Sequence, residues 1–348
     1  MVTQTLWIFA AVMDRRNVVP SAAGLRHQAP VGPPQLLSQI HGVIVLDKPK
    51  GPTSHDMVSK LRRALGTREV GHAGTLDPMA TGVLVMVVGE GTKLSPYLTE
   101  SDKEYSATVE LGALTDTLDA DGAITLQQEV PAAVLDELRA PLSPLGPRIA
   151  SACQAELTRT AQVPPAYSAV HVDGQRSYDR ARRGEASVLP ARPVTLRELR
   201  IEGLRTEPSN AIDLALAVSK GYYVRSFARD FAEAMGTIGH LSRLRRTRSG
   251  SFAIGDAASS LAPDALRAAL IPLVDAARRA LPCVVLDDVH ATRMRHGQRF
   301  DGALIGPPGV ATACFDTEGR LVAIAESNDE GVSRVLRGFR APPAVATS

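Results

Sequence analysis

The chain has 348 residues, of which 44% are apolar and 22% are charged, and its net charge is +2. This composition can bury a core, which excludes a wholly disordered chain, and the length suggests two domains of roughly 100–200 residues each. No segment reaches the roughly 18 consecutive apolar residues that span a bilayer. The three cysteines lie far apart in the sequence, which excludes a disulfide framework and does not support a Cys-rich zinc site. The cytoplasm is therefore the compartment that fits best.

Residues 1–38 are expected to form a disordered extension. The apolar run at 6–13 differs from a signal peptide, because no basic residue precedes it and charged residues follow it at once. The residues after this run show no hydrophobic period. An amphipathic segment that touches a membrane is the alternative interpretation.

The first ordered elements are expected from Gly42 onward. The apolar run at residues 43–46 predicts a buried strand that enters a Pro/Gly turn. Ser54 is expected to cap a helix whose apolar residues recur at helical spacing, and Gly66 fits the position just after its end. Residues 83–88 predict a second buried strand.

Alternating apolar residues predict half-buried strands over 105–111 and 212–218, and Asp173-Gly174 predicts a tight hairpin. A helical apolar face then runs from Val224 to Met235 and is closed by Gly236. Strands and helices mix without a regular βαβ repeat. This pattern predicts an α+β fold with a mixed or antiparallel central sheet and flanking helices.

The C-terminal third predicts a change of architecture. Residues 259–282 are expected to form a helical connector of two short Ala/Leu-rich helices, and residues 283–340 a small β-rich module. The Pro/Ala-rich residues 341–348 are expected to be a disordered tail. Residues 39–258 remain as the main domain.

The loop at 71–78, with the sequence GHAGTLDP, is the first candidate site. Its glycines allow close approach of a ligand, and Pro78 restricts Asp77 to an extended conformation. A single carboxylate of this kind can act as a nucleophile, and no second acid supports glycosidase chemistry. Taken alone, Asp-Pro is usually only a turn, and a loop histidine such as His72 usually bonds to backbone.

The junction at 219–226, with the sequence SKGYYVRS, is the second candidate site. Tyr223 can stack on a base, and Arg225 can pair with a carboxylate or a phosphate, although a core aromatic and a surface arginine are the plain alternative. The acid-free stretch that follows carries four arginines, Arg243, Arg245, Arg246 and Arg248. A solvated arginine face is the default interpretation of that stretch, but the combination favours a nucleic acid.

The chain resembles the bacterial tRNA pseudouridine synthase family of the TruB type. The resemblance runs from about Gly42 to Gly250 and rests on six motifs in family order: VIVLDKPKGPTSHD, GHAGTLDPMATGVL, TDTLDADG, QVPPAYSAV, SKGYYVRS and HLSRLRRTRSG. It implies the pseudouridine synthase type of central sheet and a PUA-like RNA-binding module at 283–340. It also implies isomerisation of uridine to pseudouridine at position 55 in the T-loop of tRNA, in a base that is flipped out of its stack.

The resemblance implies a catalytic set without metal or cofactor. Asp77 matches the nucleophile of the family, and Arg225 matches the arginine that pairs with it. Tyr105 matches the residue that stacks on the target base. Tyr223 matches a residue that contacts the same nucleotide and is a candidate for moving the C5 proton.

The resemblance also implies substrate-binding residues around this set. His72 would fill the space that the flipped nucleotide leaves, and Leu244 would line the uracil pocket. Lys48 belongs to a motif near the site and is counted with the substrate-binding residues, although a structural role is favoured for it. Arg245 and Arg246 are expected to contact phosphates.

The expected partner is the T-arm stem-loop of tRNA, bound by a monomer with no obligate protein partner and no membrane. One alternative is a guide-RNA-dependent pseudouridylase of the same superfamily, but the Pro/Ala ending differs from the long basic tails typical of those proteins. Another alternative is a non-catalytic RNA-binding protein. The presence of the complete catalytic set argues against it: Asp77, Tyr105, Tyr223 and Arg225. The chain has neither a P-loop nor an H-E-x-x-H motif, so nucleotide hydrolysis and metal-dependent catalysis are poorly supported.

Overall fold

The structure is a computed structural model. It describes residues 40–168, 171–172, 175–177, 180, 183, 185 and 189–340. All of these belong to one compact unit. The predicted extension at 1–38, the turn at Asp173-Gly174 and the tail at 341–348 lie outside the described residues.

Strands predominate in the described part of the chain. In chain order they are β1 (Gly42–Lys48), β2 (Val70–Ala73), β3 (Thr81–Val88), β4 (Lys103–Leu111), β5 (Ala113–Thr115), β6 (Ile124–Gln127), β7 (Ala161–Gln162), β8 (His171–Val172), β9 (Gln175–Arg176), β10 (Arg192–Pro193), β11 (Leu196–Arg205), β12 (Ala211–Val218), β13 (Gly239–Ser249), β14 (Phe252–Ala253), β15 (Ile271–Pro272), β16 (Cys283–Val285), β17 (Thr312–Phe315), β18 (Leu321–Ser327) and β19 (Ser333–Gly338). The α-helices are α1 (Ser54–Leu65), α2 (Ser95–Glu100), α3 (Ala132–Arg139), α4 (Pro147–Leu157), α5 (Val224–Ala234), α6 (Pro263–Ala268), α7 (Leu273–Ala280) and α8 (Asp288–Arg295).

The central sheet is mixed, and its main path runs β11-β12-β4-β13-β3-β1-β15, with β2 and β14 attached. Neighbouring strands on this path pair antiparallel except β13 and β3, which are parallel. A second, four-stranded sheet of β16, β17, β18 and β19 forms the C-terminal part. These two sheets confirm the predicted α+β class with a β-rich C-terminal sheet, and the predicted strands correspond to β1, β3, β4 and β12.

The two faces of the central sheet bury different cores. Alternate residues of β1 and β3 point to opposite sides, so Ile44 joins the first core and Val45 the second. The first core includes residues of α1, α3, α4 and α5, and the second includes α7 and the C-terminal strands β17 and β18. Phe315 and Ile324 thus pack in one cluster with the strands of the central sheet. The two helices predicted at 259–282 are α6 and α7.

Thr53, not Ser54 as predicted, caps α1. The Thr53 hydroxyl accepts from the Asp56 N–H (3.1 Å), while the Asp56 carboxylate accepts from the Thr53 N–H (2.8 Å). This arrangement leaves the Ser54 hydroxyl free to accept from the Leu76 N–H (2.9 Å) and donate to the Leu76 carbonyl (3.1 Å). The helix ends before Gly66, which is left-handed as expected, with φ 65°.

Strand β13 joins the two halves of the central sheet. It pairs antiparallel with β4 along its length and parallel with β3 at two pairs, Arg245–Thr81 and Arg246–Gly82. At the second pair the two backbones approach closely, and a Cβ on Gly82 would lie 2.1 Å from the Arg246 carbonyl oxygen. Gly82 also has φ +98°, so both its backbone angle and its surroundings require glycine.

Candidate active site

The loop between β2 and β3 presents Asp77 in a rigid backbone. Its carbonyls accept hydrogen bonds from several distant groups: Gly74 from Arg246 Nη2 (3.0 Å), Thr75 from Arg246 Nη1 (3.3 Å), Leu76 from Ser54 Oγ (3.1 Å), and Pro78 from the Gly51 N–H (2.8 Å) and Lys48 Nζ (3.2 Å). The Asp77 carbonyl accepts from the Ala80 N–H at 3.1 Å and closes a turn. The Asp77 side chain remains 35% exposed. The backbone of the loop is therefore fixed by hydrogen bonds from other elements, while the Asp77 carboxylate is partly exposed to solvent.

Arg225 lies in the first turn of α5 and contacts Asp77, so the two candidate sites predicted from the sequence are adjacent in the structure. Its side chain is only 6% exposed, and its Nη2 donates to Asp77 Oδ1 at 3.2 Å, while its Nε lies 2.9 Å from Asp77 Oδ2. The guanidinium also donates to the carbonyls of Thr117 (3.0 Å) and Tyr167 (2.9 Å). A planar fork of donors fixed in this way aims the carboxylate that it contacts.

Asp119 is a second acid beside Arg225 that the sequence reasoning left without a role. Its Oδ2 lies 3.6 Å from Arg225 Nε, and its side chain is 7% exposed. Its other oxygen accepts from Thr117 Oγ1 (2.6 Å) and the Asp121 N–H (3.1 Å). The TDTLDADG motif contained the signal, because an aspartate often closes a turn by accepting from the backbone N–H two residues further on, as Asp119 does from Asp121. The buried guanidinium thus lies between two carboxylates.

The two candidate tyrosines come from different elements of the fold. Tyr223 precedes α5, and its N–H donates to Gln162 Oε1 at 3.0 Å. Burial raises the pKa of the Tyr223 hydroxyl, and the Asp77 carboxylate acts in the same direction. Tyr105 lies on β4, opposite Arg246 in register, and is half-buried against the first core. Both rings are only partly covered by protein.

His72 and Leu244 lie on strands that flank the Asp77 loop. His72 is partly buried on β2, and its Nδ1 is buried without a hydrogen-bond partner in the part of the chain that the structure describes. Burial lowers the pKa of His72, and the charges of His55 and Arg246 lower it further, so the neutral ring is favoured. Leu244 on β13 is 6% exposed within the first core.

The structure argues against the phosphate contact expected of Arg246, and it agrees with the structural role favoured for Lys48. Both side chains are buried, with residue exposures of 0% and 1%. Lys48 Nζ donates to the carbonyls of Pro49 and Pro52 as well as Pro78, and burial lowers its pKa to about 8. Arg246 Nε donates to a β3 carbonyl in addition to its two bonds to the Asp77 loop. Neither cation is open to a phosphate, and both hold backbone instead.

The alternation of β13 divides the predicted basic stretch between two faces. Arg245 is partly exposed, but its guanidinium forms a bidentate ion pair with Asp47 at 2.9 and 2.8 Å. Arg248 is exposed and pairs with Glu104 at 3.3 Å. Of the four arginines, Arg243 is exposed without a carboxylate partner among the described residues. The stretch is therefore not a continuous free cationic surface.

Two kinds of feature are absent from the described residues. Among them, no group of three or more His, Cys, Asp and Glu side chains is placed to hold a metal ion. None of the helices in that part of the chain is long and apolar enough to cross a membrane.

The chain is similar to bacterial proteins named tRNA pseudouridine synthase B. The protein from Leifsonia xyli subsp. xyli is 44% identical over 288 residues, which are 82% of this chain and 92% of that protein. The protein from Thermobifida fusca is 43% identical over 304 residues, 86% of this chain and 98% of that protein. A family model described as TruB family pseudouridylate synthase (N terminal domain) matches residues 62–224.

Two solved structures share the fold. One, described as "Crystal Structure of a Cbf5-Nop10-Gar1 Complex", aligns with a TM-score of 0.60 and 25% identity over 83% of this chain and 79% of that chain. Another, described as "Structure of H/ACA RNP bound to a substrate RNA containing 2'-deoxyuridine", aligns with a TM-score of 0.62 and 21% identity over 86% of each chain. These likenesses confirm the fold class predicted from the sequence.

Proposed function

Because the chain belongs to the TruB family of pseudouridylate synthases, we propose that it isomerises uridine to pseudouridine at position 55 in the T-loop of tRNA. Membership of this family makes the chain an enzyme of the isomerase class. The relatives are named for a tRNA substrate, which supports the same substrate here. The observation that carries the proposal is the outward-facing Asp77 carboxylate held by the buried Arg225 guanidinium.

The reaction suits a single fixed carboxylate. The bond between N1 of uracil and C1′ of ribose breaks, the base turns, and a bond forms between C5 and C1′. In the same isomerisation C5 loses its proton and N1 gains one, so no atom is gained or lost overall. In our proposal the nucleophile is Asp77, which attacks either the sugar C1′ or the pyrimidine C6 and departs when the new glycosidic bond is complete. Arg225 orients this carboxylate and balances its charge, and the locked loop keeps the approach geometry constant.

The residues around Asp77 support a flipped-base substrate. Extruding a stacked uridine costs a few kcal/mol, which contacts to the flipped nucleotide must offset. We assign stacking on the base to Tyr105. To Tyr223 we assign a contact to the same nucleotide, and it is our candidate for moving the C5 proton. The neutral ring of His72, with its unpartnered Nδ1, suits insertion into the space that the base leaves. Leu244 forms part of an apolar wall for uracil.

We propose that the enzyme acts alone, as a monomer in the cytoplasm, on the T-arm stem-loop. All proposed active-site residues lie within 39–258, which we assign as the catalytic domain. Residues 259–282 then form the connector, and residues 283–340, which hold the four-stranded C-terminal sheet, form a PUA-like RNA-binding module.

Tritium release tests the reaction directly. A T-arm stem-loop labelled with tritium at C5 of its uridines is incubated with the full chain, without added metal or cofactor, and released tritium is counted. We expect release from the target uridine and none from a stem-loop in which that uridine is replaced by cytidine. Tight binding of the stem-loop without any release would favour the non-catalytic RNA-binding protein instead.

The Asp77→Asn variant tests the nucleophile. It retains the shape of the side chain but removes its charge, so we expect tritium release to be abolished while the Kd for the stem-loop changes by less than about tenfold, or roughly 1.4 kcal/mol. The matched control is Asp136→Asn, on the exposed face of α3, which should retain full activity. Substantial turnover by Asp77→Asn would rule out this carboxylate as the nucleophile.

A further inference from the structure

Among the described residues, Arg243 is the one arginine of β13 that is exposed without a carboxylate partner. Arg245 and Arg248 are paired with carboxylates, and Arg246 is buried against carbonyls. A protein that binds a polyanion needs exposed cations that are free to neutralise phosphates. Such cations are found on α1 and just after it.

One face of α1 is exposed and basic. Its buried residues lie at helical spacing and face the first core: Met57, Val58, Leu61 and Leu65. The opposite face is exposed and consists of His55, Asp56, Ser59, Lys60, Arg62 and Arg63. Arg68, shortly after the helix, is exposed as well. We call His55, Lys60, Arg62, Arg63 and Arg68 the α1 basic surface.

The positive charges of this surface are available to neutralise phosphates. In the described part of the chain, no carboxylate lies within 4.0 Å of Lys60, Arg63 or Arg68. The guanidinium of Arg62 donates to the Val70 carbonyl at 2.9 Å, which uses one donor, and no carboxylate among the described residues pairs with its charge. Asp56 is the acid on the exposed face of the helix itself, and its carboxylate is engaged in capping Thr53.

The α1 basic surface starts at the active site. Ser54, the first residue of the helix, bonds to both backbone groups of Leu76, next to Asp77. From there the 12 residues of α1 extend about 18 Å, and Lys60 and Arg63 lie one turn apart along this path. On the flank of Lys60, a cavity of about 440 Å³ separates α1 from residues 258–261 and from Arg245.

From this placement we infer that the α1 basic surface binds the phosphodiester backbone of the substrate RNA, at nucleotides away from the target uridine. The inference rests on the proposed function and adds a second contact region to it. Continuity with the Asp77 loop favours RNA over an acidic protein, because an RNA whose target base lies at Asp77 must continue across the adjoining surface. Lysine and arginine phosphate contacts position such an RNA without reading its sequence.

The test uses the double variant Lys60→Gln/Arg63→Gln in the full chain. We expect its KM for a complete T-arm stem-loop to rise by about tenfold at about 0.1 M salt, with kcat unchanged, and the slope of log Kd against log salt to fall by about 0.9 for each phosphate that is no longer neutralised. The matched control is Arg139→Gln/Arg267→Gln, which removes two exposed helical arginines that have carboxylate partners of their own. The charge-retaining variant Lys60→Arg/Arg63→Lys should keep the wild-type slope.

A second substrate locates the contact. With an oligonucleotide reduced to the loop nucleotides, the double variant and the wild type should have equal KM values, because the RNA no longer reaches Lys60. An unchanged KM and salt slope with the complete stem-loop, while the wild type releases tritium, would overturn the inference and leave the surface to an acidic protein. Failure of the wild type to release tritium would instead refute the proposed function, and the salt slopes of binding would still report on the surface.

Discussion

Arg246 illustrates how a charged residue can serve the site without touching the substrate. Its guanidinium is buried and donates to the carbonyls of Gly74, Thr75 and Val83, so one side chain of β13 ties the Asp77 loop to β3. A buried cation is stable only when such acceptors satisfy its donors. We therefore regard Arg246 as a positioning residue for Asp77.

The variant Arg246→Lys tests this role. The three carbonyls are bound by three different nitrogens of the planar guanidinium, which one ammonium at a single position does not reproduce. The loop should therefore lose its fixed geometry, and kcat should fall by about tenfold or more, about 1.4 kcal/mol in activation free energy. The charge-removing variant Arg246→Gln should leave the salt slope of RNA binding unchanged, because Arg246 is not exposed to a phosphate. Single-turnover tritium release and binding titrations measure the two quantities. A slope that falls in Arg246→Gln, together with an unchanged kcat in Arg246→Lys, would restore the original expectation of a phosphate contact.

Lys103 provides a prediction for pH. Its ammonium is buried, and burial lowers its pKa from 10.5 to about 8. Between those pH values the unfolded chain binds more protons than the folded chain, so the Lys103 contribution to the free energy of unfolding rises with pH. The wild type should therefore gain stability relative to Lys103→Met as the pH is raised from about 7.5 to about 10. Urea denaturation at both pH values measures this gain, and a constant difference would contradict the lowered pKa.

At the residue scale, the sequence predicted which residues form the candidate site better than it predicted the burial and hydrogen-bond partners of those residues. The order of the motifs predicted that Asp77 and Arg225 belong to one site, although 148 positions separate them in the sequence. The two side chains are in contact in the structure. The sequence did not predict the burial of Arg246, because four arginines within the six residues 243–248 suggest an exposed face. Strand alternation held the missing signal, since Arg246 is two residues from the apolar Leu244 and shares its face. Burial of Lys48 depends on three carbonyls that no local pattern predicts.

At the scale of elements, the active site straddles the junction that β13 makes. The Asp77 loop belongs to the β1–β3 half of the sheet, whereas Tyr105 lies on β4 and Arg225 on α5, which packs against β13 and β4. The parallel contact between β13 and β3 sets the distance between the two groups. Sequence patterns predicted most of these strands and helices, but not the strand order, because pairing between strands distant in the chain leaves no local period.

The Gly82→Ala variant tests this junction. A methyl group would lie 2.1 Å from the Arg246 carbonyl oxygen, so β13 and β3 must separate, and we expect a loss of more than about 3 kcal/mol in the free energy of unfolding. The matched control is Gly236→Ala. Gly236 has φ +81° but no atom within 4 Å of the added Cβ, so that variant should lose only about 1–2 kcal/mol. Equal losses in urea denaturation would show that the backbone angle, and not the close approach, matters at Gly82.

At the scale of the whole molecule, the C-terminal sheet and the central sheet share a core. Phe315 and Ile324 of the C-terminal part lie in one buried cluster with Val43, Val85 and residues of α7. The composition of 283–340 predicted a small β-rich module, which the four-stranded sheet matches. The shared core could not be predicted, because the apolar residues of a strand do not show which neighbour covers them.

The Ile324→Ala variant tests whether the two sheets unfold together. Ile324 is fully buried, so the truncation should cost about 2–5 kcal/mol. We expect hydrogen exchange to accelerate both in peptides from 83–88 and in peptides from 321–327, since loss of the shared core weakens both sheets. Leu304→Ala, at an exposed position of the same C-terminal part, is the control. Acceleration confined to 312–338 would show that this part unfolds as an independent module.

A ribosome releases β4 long before β13, its neighbour in the finished sheet. About 140 residues separate Leu111, at the end of β4, from Ser249, at the end of β13. At roughly 5–20 residues per second, this interval lasts about 7–28 s. Throughout it, one edge of β4 carries unpaired backbone groups of the kind that pair with other chains. Until residues 112–249 have been translated, that edge of β4 therefore has no partner strand from its own chain.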